Sequence, residues 1–179
     1  MYIWIACDVS RQLGFIRGKC IEFNSSIGLS EIAFSLPQHI SLKISFEVED
    51  DILNEVTDRV SQYLSEQGAF YVYGARPEVF GSILWLSFDE NETLLRLHKE
   101  LDDILLSEYG VPYHELDKCF KFHSTLFIDD RAELLAMYDK VCAIPIDSPV
   151  EVNSFVIGTS KSGKAGEYSV VKNISTKSK

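Results

Sequence analysis

Two short segments of this chain share one layout, and together they constrain its fold more than any other feature. Residues 37–44 read Pro37-Gln38-His39-Ile40-Ser41-Leu42-Lys43-Ile44, and residues 121–128 read Lys121-Phe122-His123-Ser124-Thr125-Leu126-Phe127-Ile128. Each runs histidine, any residue, a hydroxyl residue, an aliphatic residue, within a stretch rich in strand formers. Successive side chains of a strand point to opposite faces. His39, Ser41, Lys43 and Ser45 are therefore expected on one face, with Ile40, Leu42, Ile44 and Phe46 on the other. In the second segment Lys121, His123 and Thr125 share a face, and Phe122, Leu126 and Ile128 lie opposite. Helices can cover the apolar faces, which leaves the polar faces to meet water or a ligand.

The remaining sequence supplies those helices and more strands. Residues 2–7 are an apolar run of strand formers, and 10–24 place Leu13, Ile16, Cys20 and Ile21 at helical spacing, interrupted by Gly14 and Gly18. The first motif strand is expected over 39–48. A helix follows over 51–67, striped by Ile52, Val56, Val60, Tyr63 and Leu64, with Gly68 placed to close it. A β region over 69–88 breaks near Gly74–Pro77 and turns at Gly81-Ser82. Residues 91–107 form a second striped helix on Leu94, Leu97, Leu101, Ile104 and Leu105. The second motif strand is placed at 119–128, then a helix capped by Asp129 or Asp130 and running to Cys142. Strands near 150–158 and 167–174 complete the set. This order reads as an α+β fold of two pseudo-symmetric lobes, with antiparallel sheets facing a central cleft and helices outside. Residues 1–175 are expected to form one such domain, and 176–179 a polar C-terminal tail.

At 179 residues with 46% hydrophobic content, the chain can bury a sizeable core. No apolar run is long enough to span a bilayer, and no basic, cleavable leader opens it, so the expectation is a cytoplasmic monomer with no membrane contact. Cys7, Cys20, Cys119 and Cys142 lie far apart with no CxxC pair, which predicts buried, reduced thiols, no disulfides and no metal site. The net charge of −10 provides no basic stripe for an extended nucleic-acid duplex. A nucleotide partner would be small, or would present only an RNA 3′ end.

Paired histidines on polar strand faces suit phosphodiester hydrolysis. One imidazole takes a proton from water while the other, protonated, gives one to the leaving oxygen. The hydroxyls of Ser41 and Thr125 can hold the phosphoryl oxygens, and Lys43 and Lys121 would add positive charge beside them. Either histidine alone would more often be structural than catalytic, so the argument rests on the pair. On these two motifs, His39-Ile40-Ser41-Leu42 and His123-Ser124-Thr125-Leu126, the chain resembles the 2H phosphoesterase superfamily, which includes bacterial 2′-5′ RNA ligases and RNA 2′,3′-cyclic phosphodiesterases. The segment LPQHISLKISF and the hairpin around Phe70–Gly74, Phe80 and Ile83–Leu86 are also similar to that family. The resemblance implies a lobe for each motif, no cofactor, and metal-independent hydrolysis of 2′,3′-cyclic or 2′,5′-linked phosphodiesters by His39 and His123. Relatives that join RNA ends make ligation the reverse possibility. A non-catalytic module binding a nucleotide or RNA end in the same cleft is the rival reading.

Other features are weaker. Gly158 to Ala165 nearly spell a P-loop, but Ala165 replaces the magnesium-binding hydroxyl and a strand follows, so a hairpin loop is expected. Tyr168, Phe80 and Phe127 are candidates for stacking on a base. His98 and His114 are expected at the surface, as are Asp102 and Asp103.

Overall fold

The two motif segments are both strands, and each carries the same irregularity at the same residue. The structure, a computed structural model, describes residues 1–177, and of Lys118 and Cys119 the backbone alone. Its elements are β1 (Tyr2–Asp8), α1 (Ser10–Asn24), β2 (His39–Glu47), α2 (Leu53–Ser65), β3 (Phe70–Val72), β4 (Arg76–Phe80) and β5 (Ile83–Ser87). They continue with α3 (Glu92–Tyr109), β6 (His123–Ile128), α4 (Glu133–Cys142), β7 (Val150–Val152), β8 (Ser154–Ser160) and β9 (Ser169–Ser175). Short 3-10 turns occupy Ile32–Ser35 and Glu115–Cys119.

All three sheets are antiparallel. One has the order β2-β1-β8-β9, a second β4-β5-β6, and the third is the pair β3-β7. The α+β class with two pseudo-symmetric lobes is therefore as expected, but the lobes are not the two halves of the chain. The first sheet joins strands from both chain ends, because β1 pairs with β8 as well as β2. The second comes wholly from the middle. Helices α2 and α3 pack behind the first sheet, α4 packs on β4, and α1 lies against α4. Strands β2 and β6 meet where the sheets approach each other.

In β2, Ala6 pairs with Ser41 and Ile5 with Lys43, so Leu42 has no partner. In β6, Trp85 pairs with Thr125 and Leu84 with Phe127, so Leu126 has none. Each motif thus ends in a β-bulge at its leucine, which turns the following residue to the opposite face. Residues 39–44 and 123–128 consequently share one burial order: partly exposed, buried, partly exposed, buried, buried, partly exposed. Lys43, expected on the polar face, and Phe127, a candidate for stacking on a base, both point into the interior. A second bulge between Ile3 and Ile5 returns Ser45 to the cleft face of β2.

The apolar stripes behave as the 3.6-residue period requires. Leu94, Leu97, Leu101 and Leu105 of α3 are fully buried, the Asn91 side chain accepts from the Leu94 amide, and Gly110 closes the helix in the left-handed conformation. Two expected caps are corrected. Helix α2 ends at Glu66 in right-handed geometry, so Gly68 does not close it. Helix α4 begins after Ala132 with no side-chain cap, because Asp129 instead accepts from the Ser30 amide and binds Arg131. At the C-terminus, the Thr176 and Lys177 amides donate to the carbonyls of Asn153 and Gln67; the last two residues of the expected tail lie outside the described residues.

Candidate active site

His39 opens β2 and His123 opens β6, and the residues flanking them stitch the two strands together. Gln38, buried, donates through Nε2 to Ser124 Oγ at 2.6 Å. Ser124 fills the variable position of the second motif, and neither residue had any signal in the sequence beyond sitting beside a histidine. Both imidazoles are held alike. His39 Nδ1 donates to the Pro37 carbonyl and His123 Nδ1 to the Lys121 carbonyl, each at 2.7 Å. An Nδ1–H committed to the backbone leaves Nε2 of each ring to exchange protons.

Each histidine also lies against a tryptophan from the neighbouring strand. Trp4 of β1 meets His39 edge-on with ring centroids 4.4 Å apart, and Trp85 of β5 meets His123 at 4.2 Å and a 34° tilt. Sequence reading missed both tryptophans, since the pairings that bring them here are between strands and leave no local pattern. Trp4 Nε1 donates to Ser41 Oγ at 3.2 Å. Trp85 Nε1 lies near the Glu78 carboxylate but makes no hydrogen bond of normal geometry.

The surroundings of the two rings differ. Beside His39 is a largely apolar hollow of about 230 Å³, walled by Trp4, Ile32, Leu36, Ile128 and Tyr168 and reached by Thr125. Beside His123 is a charged one of about 250 Å³ that includes Arg76, Glu78, Ser87, Asp89 and Lys121. Burial pushes the His39 imidazole down to about 4; the Pro37 carbonyl opposes this, the charge of His123 adds to it, and Asp8 opposes it. Burial also lowers His123, opposed by its bond to the Lys121 carbonyl. Glu78 is held below the usual carboxylate range, first by the Ser87 hydroxyl and then by Trp85, Arg76 and Lys121, against a partial desolvation.

Most of the expected site residues gather here. Ser41 lies on the His39 face, paired with Ala6, and Thr125 on the His123 face, paired with Trp85. Tyr168 hydrogen-bonds Ser45 and the Gly163 carbonyl at the mouth of the His39 hollow. Phe80 is exposed and stacks on Trp85 at 5.4 Å, with Lys121 Nζ 5.9 Å from its ring centre. The near-P-loop is a hairpin turn between β8 and β9.

Lys43 is the exception. The bulge at Leu42 turns it away from the cleft; it is 2% exposed and lies 2.6 Å from Asp102 and 2.5 Å from Asp117. His98 belongs to the same cluster. It is buried, not at the surface, its Nδ1 donating to the carbonyl of Leu42 and its Nε2 3.6 Å from Asp102. His98 and Asp102, one helical turn apart, flank the leucine stripe of α3 and face β2, so Asp102 is not on a solvated face either. His98, Asp102 and Asp117 are arranged closely enough to ligate a cation. The Lys43 ammonium already stands between the two carboxylates, which makes the cluster an internal ion network. His114 is exposed and caps the 3-10 turn at Leu116, as its loop position suggested. Phe127 is core, edge-on to Phe34, and so is unavailable to a base. Of the cysteines, Cys7 and Cys20 are buried, Cys142 is exposed against expectation, and the Cys119 side chain lies outside the described residues.

No protein-family description and no curated protein matches this sequence. Solved structures do match, along nearly the whole chain. LigT of E. coli, complexed with 3′-AMP, superposes with a TM-score of 0.63 at 16% identity over 98% of each chain. The chain has the fold of LigT. A phosphoesterase matches at 0.59 and 16% identity, again over 98% of each chain. Usb1 of Kluyveromyces marxianus matches at 0.51 and 12% identity over 97% of each. This likeness of fold agrees with the 2H phosphoesterase resemblance carried by the two motifs. No helix among the described residues is long and apolar enough to cross a membrane.

Proposed function

We propose that this protein is a 2H phosphoesterase that hydrolyses a small or terminal phosphodiester, a 2′,3′-cyclic nucleotide or a 2′,5′ linkage, without a metal. The observation that carries the reading is the equivalence of the two histidines. They occupy the same position on strands bulged at the same residue, with Nδ1 tied to the carbonyl two residues back and Nε2 left for chemistry. Nucleotide binding by relatives of the same fold, such as LigT with 3′-AMP and with ATP, supports a nucleotide ligand.

In this reading His39 is the base. Its apolar enclosure keeps the ring neutral, so Nε2 can take a proton from water as the oxygen attacks phosphorus. His123, against the face of Trp85 and beside the Glu78 carboxylate, is the acid. For a 2′,3′-cyclic substrate the bond from phosphorus to the 3′ oxygen breaks, that oxygen receives the His123 proton, and a 2′-phosphate with a free 3′ hydroxyl results. Ser41 and Thr125 donate to the phosphoryl oxygens as charge builds there. Phe80 and Tyr168 offer ring faces to a base, and Lys121 offers positive charge. Residues 1–175 act as one two-lobed unit taking a single nucleotide or an RNA 3′ end.

The test is turnover of 2′,3′-cyclic nucleotides and 2′,5′-linked dinucleotides in EDTA by wild type, His39→Ala and His123→Ala. Wild-type activity abolished by either substitution is expected. Activity lost in EDTA and restored by metal contradicts the metal-free mechanism. Nucleotide binding without turnover makes the cleft a binding module.

A further inference from the structure

The first motif differs from the second in what its tryptophan does. A tryptophan Nε1 is a donor only, so in the contact between Trp4 and Ser41 the serine oxygen must accept. That bond consumes a lone pair of Ser41 Oγ and leaves its own proton uncommitted. Among the described residues, no other side chain hydrogen-bonds Ser41 Oγ. That proton is free for a ligand on the strand face that the serine shares with His39.

Trp4 is itself tightly placed. It is 6% exposed, in a small cluster with Ala6 and Val156 at the wall of the His39 hollow. Gly158 of β8 admits its ring, since a Cβ there would stand 2.8 Å from Trp4 Cε3. The ring edge meets His39. One rigid indole thus fixes the hydroxyl and the imidazole of the same motif. Trp85, its counterpart, makes no such bond.

We propose that Trp4 is a positioning residue for phosphate recognition, its indole N–H holding Ser41 so that the serine hydroxyl donates to a phosphoryl oxygen. This rests on the function proposed above. Trp4→Phe keeps a ring against His39 and Gly158 but removes the N–H. It should weaken binding of adenosine 2′-monophosphate, and lower kcat, by about fivefold to tenfold, the worth of one neutral hydrogen bond. On a Ser41→Ala background the same substitution should cost nothing further. Gly158→Ala, pressing on the ring, should reproduce the loss with Trp4 intact.

The chain has two tryptophans, so its two indole N–H resonances are assignable with Trp85→Phe. The Trp4 resonance should move in Ser41→Ala without ligand and on adding adenosine 2′-monophosphate to wild type. Losses that add in the double variant, or an indole resonance indifferent to Ser41, overturn the role while leaving the two-histidine mechanism in place. A wild type that neither binds nor turns over nucleotide overturns both.

Discussion

Replacing Lys43 by methionine should destabilise the protein more than almost any other single change outside the apolar core. The ammonium lies 2.6 Å from Asp102 and 2.5 Å from Asp117, and all three side chains are within 4% of full burial. At such separations each pair attracts by about 6 kcal/mol at an effective dielectric of 20. Desolvating the three groups costs several kcal/mol each, so the intact network contributes little net stability. The deletion is not symmetrical with the network's formation. Methionine fills the space but removes the ammonium from two buried carboxylates, which keep only the His114 amide and His98 beside them. Breaking a buried network in this way costs about 3–5 kcal/mol. For a chain of this size that corresponds to a fall in Tm of roughly 6–20 °C. Asp102→Asn should cost less, because the ammonium keeps Asp117. The triple variant Lys43→Met, Asp102→Asn, Asp117→Asn should recover most of the loss. Thermal and urea unfolding followed by tryptophan fluorescence would measure all four proteins. A Lys43→Met cost below about 1 kcal/mol, or a triple variant no better than the single, would refute the reasoning.

Three further outcomes follow from the site. The active form needs His39 neutral and His123 protonated, and both rings are lowered from the ordinary histidine value, His39 to about 4; the kcat/KM profile should therefore be a bell centred on the acid side of neutrality, and an optimum above pH 8 contradicts the assignment. Because the unfolded chain protonates near pH 6.5 and folded His39 only near 4, the unfolded state binds the extra proton between those values. Folding stability should fall by about 3 kcal/mol as pH drops through that window, and a His39→Gln variant titrated by urea should lose most of that slope. Gln38→Ala leaves the buried Ser124 hydroxyl without its partner and should cost about 1–3 kcal/mol in unfolding; an unchanged midpoint would mean that the bond does not tie β2 to β6.

The contrast between His39 and Lys43, four residues apart on one strand, defines what the sequence could reveal. The period-2 pattern of 39–44 and 123–128 located both strands and put both histidines and both hydroxyls on cleft faces. A bulge depends on the pairing partner's register, so nothing in either segment announced that Leu42 and Leu126 would stand unpaired. Lys43 was misplaced for that reason, and the equivalent bulge turns Phe127, a stacking candidate, into the core. His98 and Asp102 were misread differently: they sit at the border of the α3 stripe, and their burial partners, the Leu42 carbonyl and the Lys43 ammonium, belong to β2. The leucine stripe made α3 legible from end to end, whereas α4 started later than Asp129 suggested because that carboxylate serves Ser30 and Arg131. The two tryptophans came into view only with the sheet pairing. Pairing of β1 with β8 joins residues far apart in sequence, a non-local contact that composition and periodicity do not encode.

The measurement that tests the central claim most directly is phosphorus NMR of a nucleoside 2′,3′-cyclic phosphate incubated with the protein in oxygen-18 water and EDTA. The account predicts a 2′-phosphate carrying one heavy oxygen with wild type, and unchanged substrate with His39→Ala or His123→Ala. Conversion that persists in either variant, or substrate left intact by wild type while bound to it, would contradict a two-histidine hydrolase.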